Sequence, residues 1–314
     1  MVVAYYLGKY VATRHNHMIT FKQFLLEGGK ATEKLGTVRA TQADMKSALK
    51  FVSKQTGVPV ETLADRLLGS TRLTYRGMQK DSGDVDIAIS EKEVDRESIV
   101  DKMEFATGNK PHVTGGSTYS FAVPVKGDRK VQVDLMFVPD VEWAKFSHHA
   151  SEHSAHKSGV RNELLHSALK FSMEPGKDLR VKDLAGNDVV RASRAYKLDQ
   201  GVERIFKVAP VRKDGKGRVK SPAHASPDEV QKALDELGHK GKFSPDADTI
   251  RDPDQFAKLL FGPKVKAKDL LSTEQLINLI KKYKGDHADE IFRDAVKGIK
   301  RLKFEVPDEL KQFE

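Results

Sequence analysis

The sequence of 314 residues contains no cysteine and no long apolar run. Without cysteine, neither a disulfide framework nor a thiolate metal site can form. The longest apolar runs, such as Leu135-Met136-Phe137-Val138, fall far short of the ~20 residues that span a bilayer. The opening stretch MVVAYYLGKYVATRHNHM is apolar but lacks the basic region and small-residue cleavage site of a secretory signal. It reads as a strand or packed terminal segment, and the expected location is the cytoplasm. No segment joins a basic face to a strong aromatic or leucine face, which argues against a membrane-surface role. There is no internal repeat.

What the chain does have is charge. Residues of type Asp, Glu, Lys and Arg make up 32%, beside a hydrophobic fraction of 39% that is adequate for a core. The length points to more than one packed unit. A net charge of +9 favours polyanionic partners, with nucleic acid first among them.

Periodicity and caps organise the chain. Residues 18–29 read as a short helix capped by Thr20, and residues 41–55 as a second, capped by Thr41 with Met45, Leu49 and Val52 on one face. Residues 85–89 alternate as a strand, and 91–105 read as a helix with Val94, Ile99 and Met103 inward. Residues 117–138 form a β-hairpin around a Lys-Gly-Asp turn, followed by a His-rich loop and a helix over 160–171. Residues 178–198 suggest a small hairpin around Gly186-Asn187, and 199–208 a closing helix. Residues 212–227 have the composition of a basic linker. Beyond them come four helices. The first has a capping box at Ser226-Pro227-Asp228-Glu229, the second begins at Asp252-Pro253, the third is capped by Ser272, and the fourth covers ADEIFRDAVKGIKRL. The expected fold class is α+β: a mixed sheet with flanking helices, plus a C-terminal helical domain. The expected units are an N-terminal helical segment (1–58), an α/β domain (59–210), the linker (211–226) and the helical domain (227–314).

The chemistry concentrates in GSTRLTYRGMQKDSGDVDIAIS, residues 69–90. Asp84 and Asp86 flank Val85, so in a strand both carboxylates point to one face. Their repulsion costs stability unless a cation lies between them. Asp134 sits inside a second strand pattern, alternating with Gln132 between Val133 and Leu135. If those strands are neighbours, the three aspartates make an oxygen-rich site suited to two hard divalent ions such as Mg²⁺, with Mn²⁺ as a substitute. Upstream, Gly69 permits a tight backbone turn and Ser70 offers a hydroxyl and N–H to a phosphate oxygen. Arg72, Arg76 and Lys80 can neutralise a triphosphate, while Ser82 and Gly83 lead it to the metal ligands. Phosphoryl transfer needs anchored phosphates, paired metals and an in-line nucleophile. A lone Asp-x-Asp is more often a solvated turn, but the conjunction is far rarer.

This arrangement resembles the DNA polymerase beta-like nucleotidyltransferase superfamily, whose signature is a Gly-Ser pair, then Asp-x-Asp, then a third carboxylate on a neighbouring strand. Within it, YRGMQKDSGDVDIAI looks most like the family X polymerases. Residues 129–147 look like that family's third catalytic strand running into its nucleotide-binding segment, and 184–208 like the end of its thumb. The resemblance implies a polymerase beta-like palm in which Asp84 and Asp86 bridge both metals. It implies that Asp134 holds the catalytic metal and helps to deprotonate the attacking hydroxyl. It also places Gly69, Ser70, Arg72, Arg76, Ser82 and Gly83 at the nucleotide phosphates. Two departures stand out: a longer gap between the Gly-Ser pair and the aspartates, and no helix-hairpin-helix pattern.

The implied activity is transfer of a nucleoside monophosphate from an NTP or dNTP to a DNA or RNA 3′-hydroxyl, templated or terminal, with release of pyrophosphate. The alternative is a nucleotidyltransferase that modifies a protein or small molecule. In the loop FSHHASEHSAHKSGVRNELL, His148, His149, His153 and His156 allow a zinc site, a polar loop, or contacts to substrate from His148, His149, Lys157 and Arg161. Phe146 and Tyr75 are each open to base stacking or to a core role. The lysine runs of the tail suit either a solvated helix face or a nucleic-acid grip.

Overall fold

The computed structural model describes residues 31–152, 154, 156, 158–172, 180–182, 188–208, 228, 231, 232, 235 and 249–314. Helix α1 (Gln42–Thr56) starts on a reciprocal capping box: the Thr41 hydroxyl accepts from Asp44 N–H, and the Asp44 carboxylate accepts from Thr41 N–H. Its buried stripe of Met45, Ala48, Leu49 and Val52 follows the helical period, and Gly57 ends it at φ 75°. Two short helices follow, α2 (Val60–Asp65) and α3 (Gly69–Tyr75). Helix α4 (Arg96–Thr107) is capped by the Asp95 side chain, with Ile99 and Met103 buried as the periodicity requires.

A five-stranded mixed sheet carries these helices. Its strands are β1 (Thr37–Val38), β4 (Val85–Ser90), β5 (His112–Thr114), β6 (Thr118–Pro124) and β7 (Lys130–Val138). The expected hairpin is present as β6 and β7, antiparallel, with Thr118 opposite Met136 and Pro124 opposite Lys130. On its other edge β7 pairs parallel first with β1 and then with β4. A separate short pair joins β2 (Ala40–Thr41) to β3 (Asp81–Ser82).

The period-2 pattern of β7 divides the sheet into two unlike faces. Val133, Leu135 and Phe137 join Val85, Ile87 and Ile89 of β4, and Phe121 and Val123 of β6, in a core packed against α1, α2 and α4. The opposite face carries Gln132 and Asp134 and then closes over Met136 and Val138, which pack on Leu68, Ala88 and Ala144.

The chain then forms α5 (Val141–Ser147) and α6 (Ser158–Lys170), and a second sheet of β8 (Arg180–Lys182), β9 (Asp188–Lys197) and β10 (Gly201–Val208). The expected pairing of β8 with β9 is found. The closing helix expected over 199–208 is not. That segment is strand β10, paired with β9 from Gly201 opposite Lys197 to Val208 opposite Val190.

Beyond it, α7 (Pro253–Phe261), α8 (Thr273–Lys284) and α9 (Ala288–Arg301) match the last three expected helices, with Asp252 and Ser272 acting as N-caps. Their apolar stripes share one core with α5 and α6. Trp143 lies at its centre, edge-on to Phe256 and Tyr196, and its indole N–H donates to Lys197 O at 2.9 Å. The helix expected over 18–29, most of the capped segment 226–238 and the linker lie outside the described residues.

Close packing of α6 on α9 depends on Gly298, where an added Cβ would lie 1.8 Å from Glu163 Oε2. Gly298→Ala is therefore expected to cost about 1–3 kcal/mol by overpacking, read as a lower chemical-denaturation midpoint.

Candidate metal and phosphate site

The parallel register of β4 and β7 sets Asp86 directly opposite Asp134, on the sheet face not taken by the main core. Asp84 enters from the turn leading into β4. All three carboxylates can each offer an oxygen within 4.8 Å of the others. Thr71 fixes the entry of the strand: its hydroxyl donates to Asp84 O at 3.2 Å and accepts from Asp86 N–H at 3.1 Å. Asp84 and Asp134 are buried and Asp86 is half-buried.

Burial and mutual repulsion shape the protonation of the cluster. Burial, then the charges of Asp84 and Asp134, hold the Asp86 carboxyl well above the ordinary carboxylate range. Asp134 is pushed up to about 7 by burial and by Asp84, against the opposing hydrogen bonds of Ser120 and Gln132. Folding therefore opposes ionisation at the cluster, and a bound cation would favour it. Three converging carboxylates and no sulfur or imidazole form a hard-oxygen donor set, which fits Mg²⁺ or Mn²⁺.

The Gly-Ser pair stands beside these carboxylates. Gly69 opens α3 with φ 52°, a conformation that L residues adopt at a cost, and its N–H donates to His148 O at 3.1 Å. An added Cβ there would lie 4.0 Å from Asp86 Oδ2. Residues 66–68 run along the free edge of β4, with Leu68 N–H donating to Asp86 O and Ala88 N–H to Arg66 O. Ser70 and the buried Ser82 share a hydrogen bond between hydroxyls at 2.9 Å, and Gly83 joins Ser82 to Asp84. Arg72 is half-buried. Arg76 is exposed and forms an ion pair with Glu152 at 3.3 Å. Lys80 is exposed, and Tyr75 packs on the main core.

Arg161 departs from the substrate-contact role expected for it. It is 1% exposed, donates to Phe146 O and Ser147 O at 2.7 Å each, and lies over the Phe146 ring. It thus ties the end of α5 to α6, one residue from the His148 carbonyl that receives Gly69. Phe146 is likewise a core residue, packed on Trp143 and Phe256. A helix-facing periodicity hides such a role, because a buried arginine that satisfies carbonyls looks in sequence like any exposed one.

His148 and His149 are both lowered to about 4, chiefly by burial, with Arg161 adding to the effect at both. They are neutral at pH 7. Among the described residues, His148, His149 and His156 form no metal-ligating cluster. His153 and Lys157 lie outside the described residues. The loop rests on α8, where Ser154 donates to Glu274 Oε1 at 3.0 Å.

Asp134 has two further partners: Gln132, whose alternation with it the sequence shows without showing the bond, and Ser120, whose only signal is a polar residue at an inward position of a core-like strand. An open cleft of about 570 Å³ beyond the ends of β4 and β7 is lined by Asp65, Arg66, Ser90 and Asp140, and by none of the three aspartates. Among the described residues no helix is long and apolar enough to cross a membrane. Neither a scan against protein-family models nor a search of curated proteins finds a match to this chain.

Proposed function

We propose that the protein is a divalent-metal-dependent nucleotidyltransferase that moves a nucleoside monophosphate from an NTP or dNTP to the 3′-hydroxyl of a nucleic acid. The observation that carries this reading is the convergence of Asp84, Asp86 and Asp134 beside the Gly69–Ser70 start of α3. In the transfer, the 3′-oxygen bonds to the α-phosphorus, the bond from that phosphorus to the α–β bridging oxygen breaks, and pyrophosphate leaves. Asp84, Asp86 and Asp134 would hold Mg²⁺, which when bound supplies charge neutralisation at the phosphates.

The chain's own groups do the rest. Gly69, without a Cβ, lets phosphate oxygens approach the backbone next to Asp86. The hydroxyls of Ser70 and Ser82 are bonded to each other, which leaves one proton of the pair to offer a phosphate oxygen. Arg72 brings a half-buried positive charge to the same helix, and Arg76 becomes available to a triphosphate by exchanging Glu152 for it. Asp134, which a bound cation would keep ionised, is the carboxylate assigned to accept the proton of the attacking hydroxyl.

The charge of the chain supports a polyanionic acceptor.

The test is incubation with Mg²⁺, labelled nucleotides and a primer, with and without template. Growth of the primer supports the reading, and its dependence on template separates polymerase from terminal transfer. Label on protein or on a small acceptor alone would replace it with the modifying type of transferase. No incorporation into any acceptor would refute it.

A further inference from the structure

Resting on the reading of the three aspartates as a cation site, we infer that Gln132 is a positioning residue that sets the Asp134 carboxylate for metal capture and is itself held by Thr32. Gln132 and Asp134 share a face of β7, two residues apart, and Gln132 is 1% exposed. Its amide nitrogen donates to both oxygens of Asp134, at 3.0 and 3.1 Å. Its carbonyl oxygen accepts from Thr32 N–H and from the Thr32 hydroxyl, each at 3.1 Å.

The polarity of this chain of bonds is fixed by chemistry. A backbone N–H can only donate, so the Gln132 oxygen must face Thr32 and its NH₂ must face Asp134. Thr32 is itself 2% exposed, and its hydroxyl lies 3.2 Å from that of Thr37. Thr37 belongs to β1, which pairs with β7 at Lys130 and Val131, just ahead of Gln132. Thr32, at the start of the segment that leads into β1, therefore holds the Gln132 amide in place. Ser120, opposite Asp134 in register, supplies a second hydrogen bond. Held by both partners, the carboxylate is restricted in orientation while keeping an oxygen within 4.8 Å of those of Asp84 and Asp86. An amide suits this task because it donates without adding a charge that would compete with the cation. Isolated carboxylates rotate and must be ordered on binding, whereas a pre-oriented one gives up little entropy.

The experiment is a Mn²⁺ titration followed by the electron paramagnetic resonance signal of the free ion, on wild type, Gln132→Leu and Thr32→Val, with melting temperatures recorded alongside. Gln132→Leu is expected to weaken Mn²⁺ binding by roughly 10- to 100-fold, the usual scale for losing a partner of a metal ligand. Thr32→Val, which removes the hydroxyl donor and keeps Gln132, is expected to weaken it less and in the same direction. Nucleotide transfer by both variants is expected to recover as Mn²⁺ is raised, a rescue that a merely loosened fold would not show.

Mn²⁺ affinity in both variants indistinguishable from wild type would overturn the inference while leaving the transferase reading intact. Should Gln132→Leu fail to fold, Thr32→Val decides the matter by the same criterion. A wild type that binds Mn²⁺ and transfers no nucleotide would overturn the transferase reading alone, and one that binds no Mn²⁺ would overturn both.

Discussion

Asp134→Asn is expected to lower nucleotide transfer by on the order of 10³-fold, the scale for losing a base that also organises the site, and to leave the metal-free protein no less stable than wild type. Asparagine keeps the shape of the side chain and one oxygen that can accept from the Gln132 amide, so one of the two bonds from Gln132 survives and the other is lost. What disappears is a negative charge that burial and Asp84 oppose. For an ordinary buried side chain with two hydrogen-bonding neighbours, substitution destabilises. Here the repulsion removed offsets that cost. Activity and thermal melting on the same preparation check both halves of the expectation. A variant that melts well below wild type would mean that the charge is structural, and one that retains activity would remove Asp134 from the chemistry.

The second large effect is a pH dependence of stability that a divalent ion abolishes. The Asp134 carboxyl titrates near 7 in the folded chain against 3.8 in the ordinary state. Between those values the folded state binds more protons than the unfolded one, so this group makes the protein less stable as pH rises. The loss begins above about pH 4 and is complete above 7. It amounts to roughly 4 kcal/mol for Asp134 alone, at 1.36 kcal/mol for each tenfold change. Asp86, also held well above the ordinary carboxylate range, adds to the loss in the same direction.

Buried histidines act in the opposite sense. His148, His149 and His166 are all lowered to about 4, so the stability they contribute rises between pH 4 and their ordinary value of 6.5. The aspartate effect is therefore isolated as the difference between wild type and Asp134→Asn. That difference is expected to widen from pH 4 to pH 8 in chelator and to close in saturating Mg²⁺. Denaturant unfolding across this range measures it, and a difference independent of pH would contradict the origin given for the raised carboxyl.

Much of this site follows from period and spacing alone. Asp84 and Asp86 lie two residues apart at the entry of an apolar alternation, and Asp134 occupies an inward position of another, so adjacency of two strands was the only missing fact. The register of Asp86 opposite Asp134 supplies it. Caps were equally legible: Thr41, Asp252 and Ser272 each accept a backbone N–H at the expected helix start.

The helical expectation over 199–208 fails for a definite reason. Val202, Ile205 and Phe206 stand at helical spacing, yet their types also favour strands, and only the pairing with β9 decides. Gly201, at φ 110°, closes the turn into that pairing, where an added Cβ would lie 2.7 Å from Ile250 O. The His-rich, basic stretch that adjoins the Asp134 strand suggests a substrate role for Arg161 and leaves Phe146 open between base and core. Phe146 packs on Phe256 of α7, about a hundred residues later in the chain, and Arg161 reaches back to the Phe146 and Ser147 carbonyls, which no local pattern reveals. Gln132 was visible as the neighbour of Asp134 on its face, but its link to Thr32 spans 100 residues of sequence.

The most direct measurement of the central claim is calorimetric titration of Mg²⁺ into the metal-free protein at pH 7, in two buffers of different ionisation enthalpy. Asp86 and Asp134, whose ionisation burial opposes, should bind the ion saturably together with Asp84 and release protons as they do so, and an Asp86→Asn, Asp134→Asn double variant should do neither. Saturable binding without proton release, or binding unchanged in the double variant, would show that the aspartates are not held together for a cation.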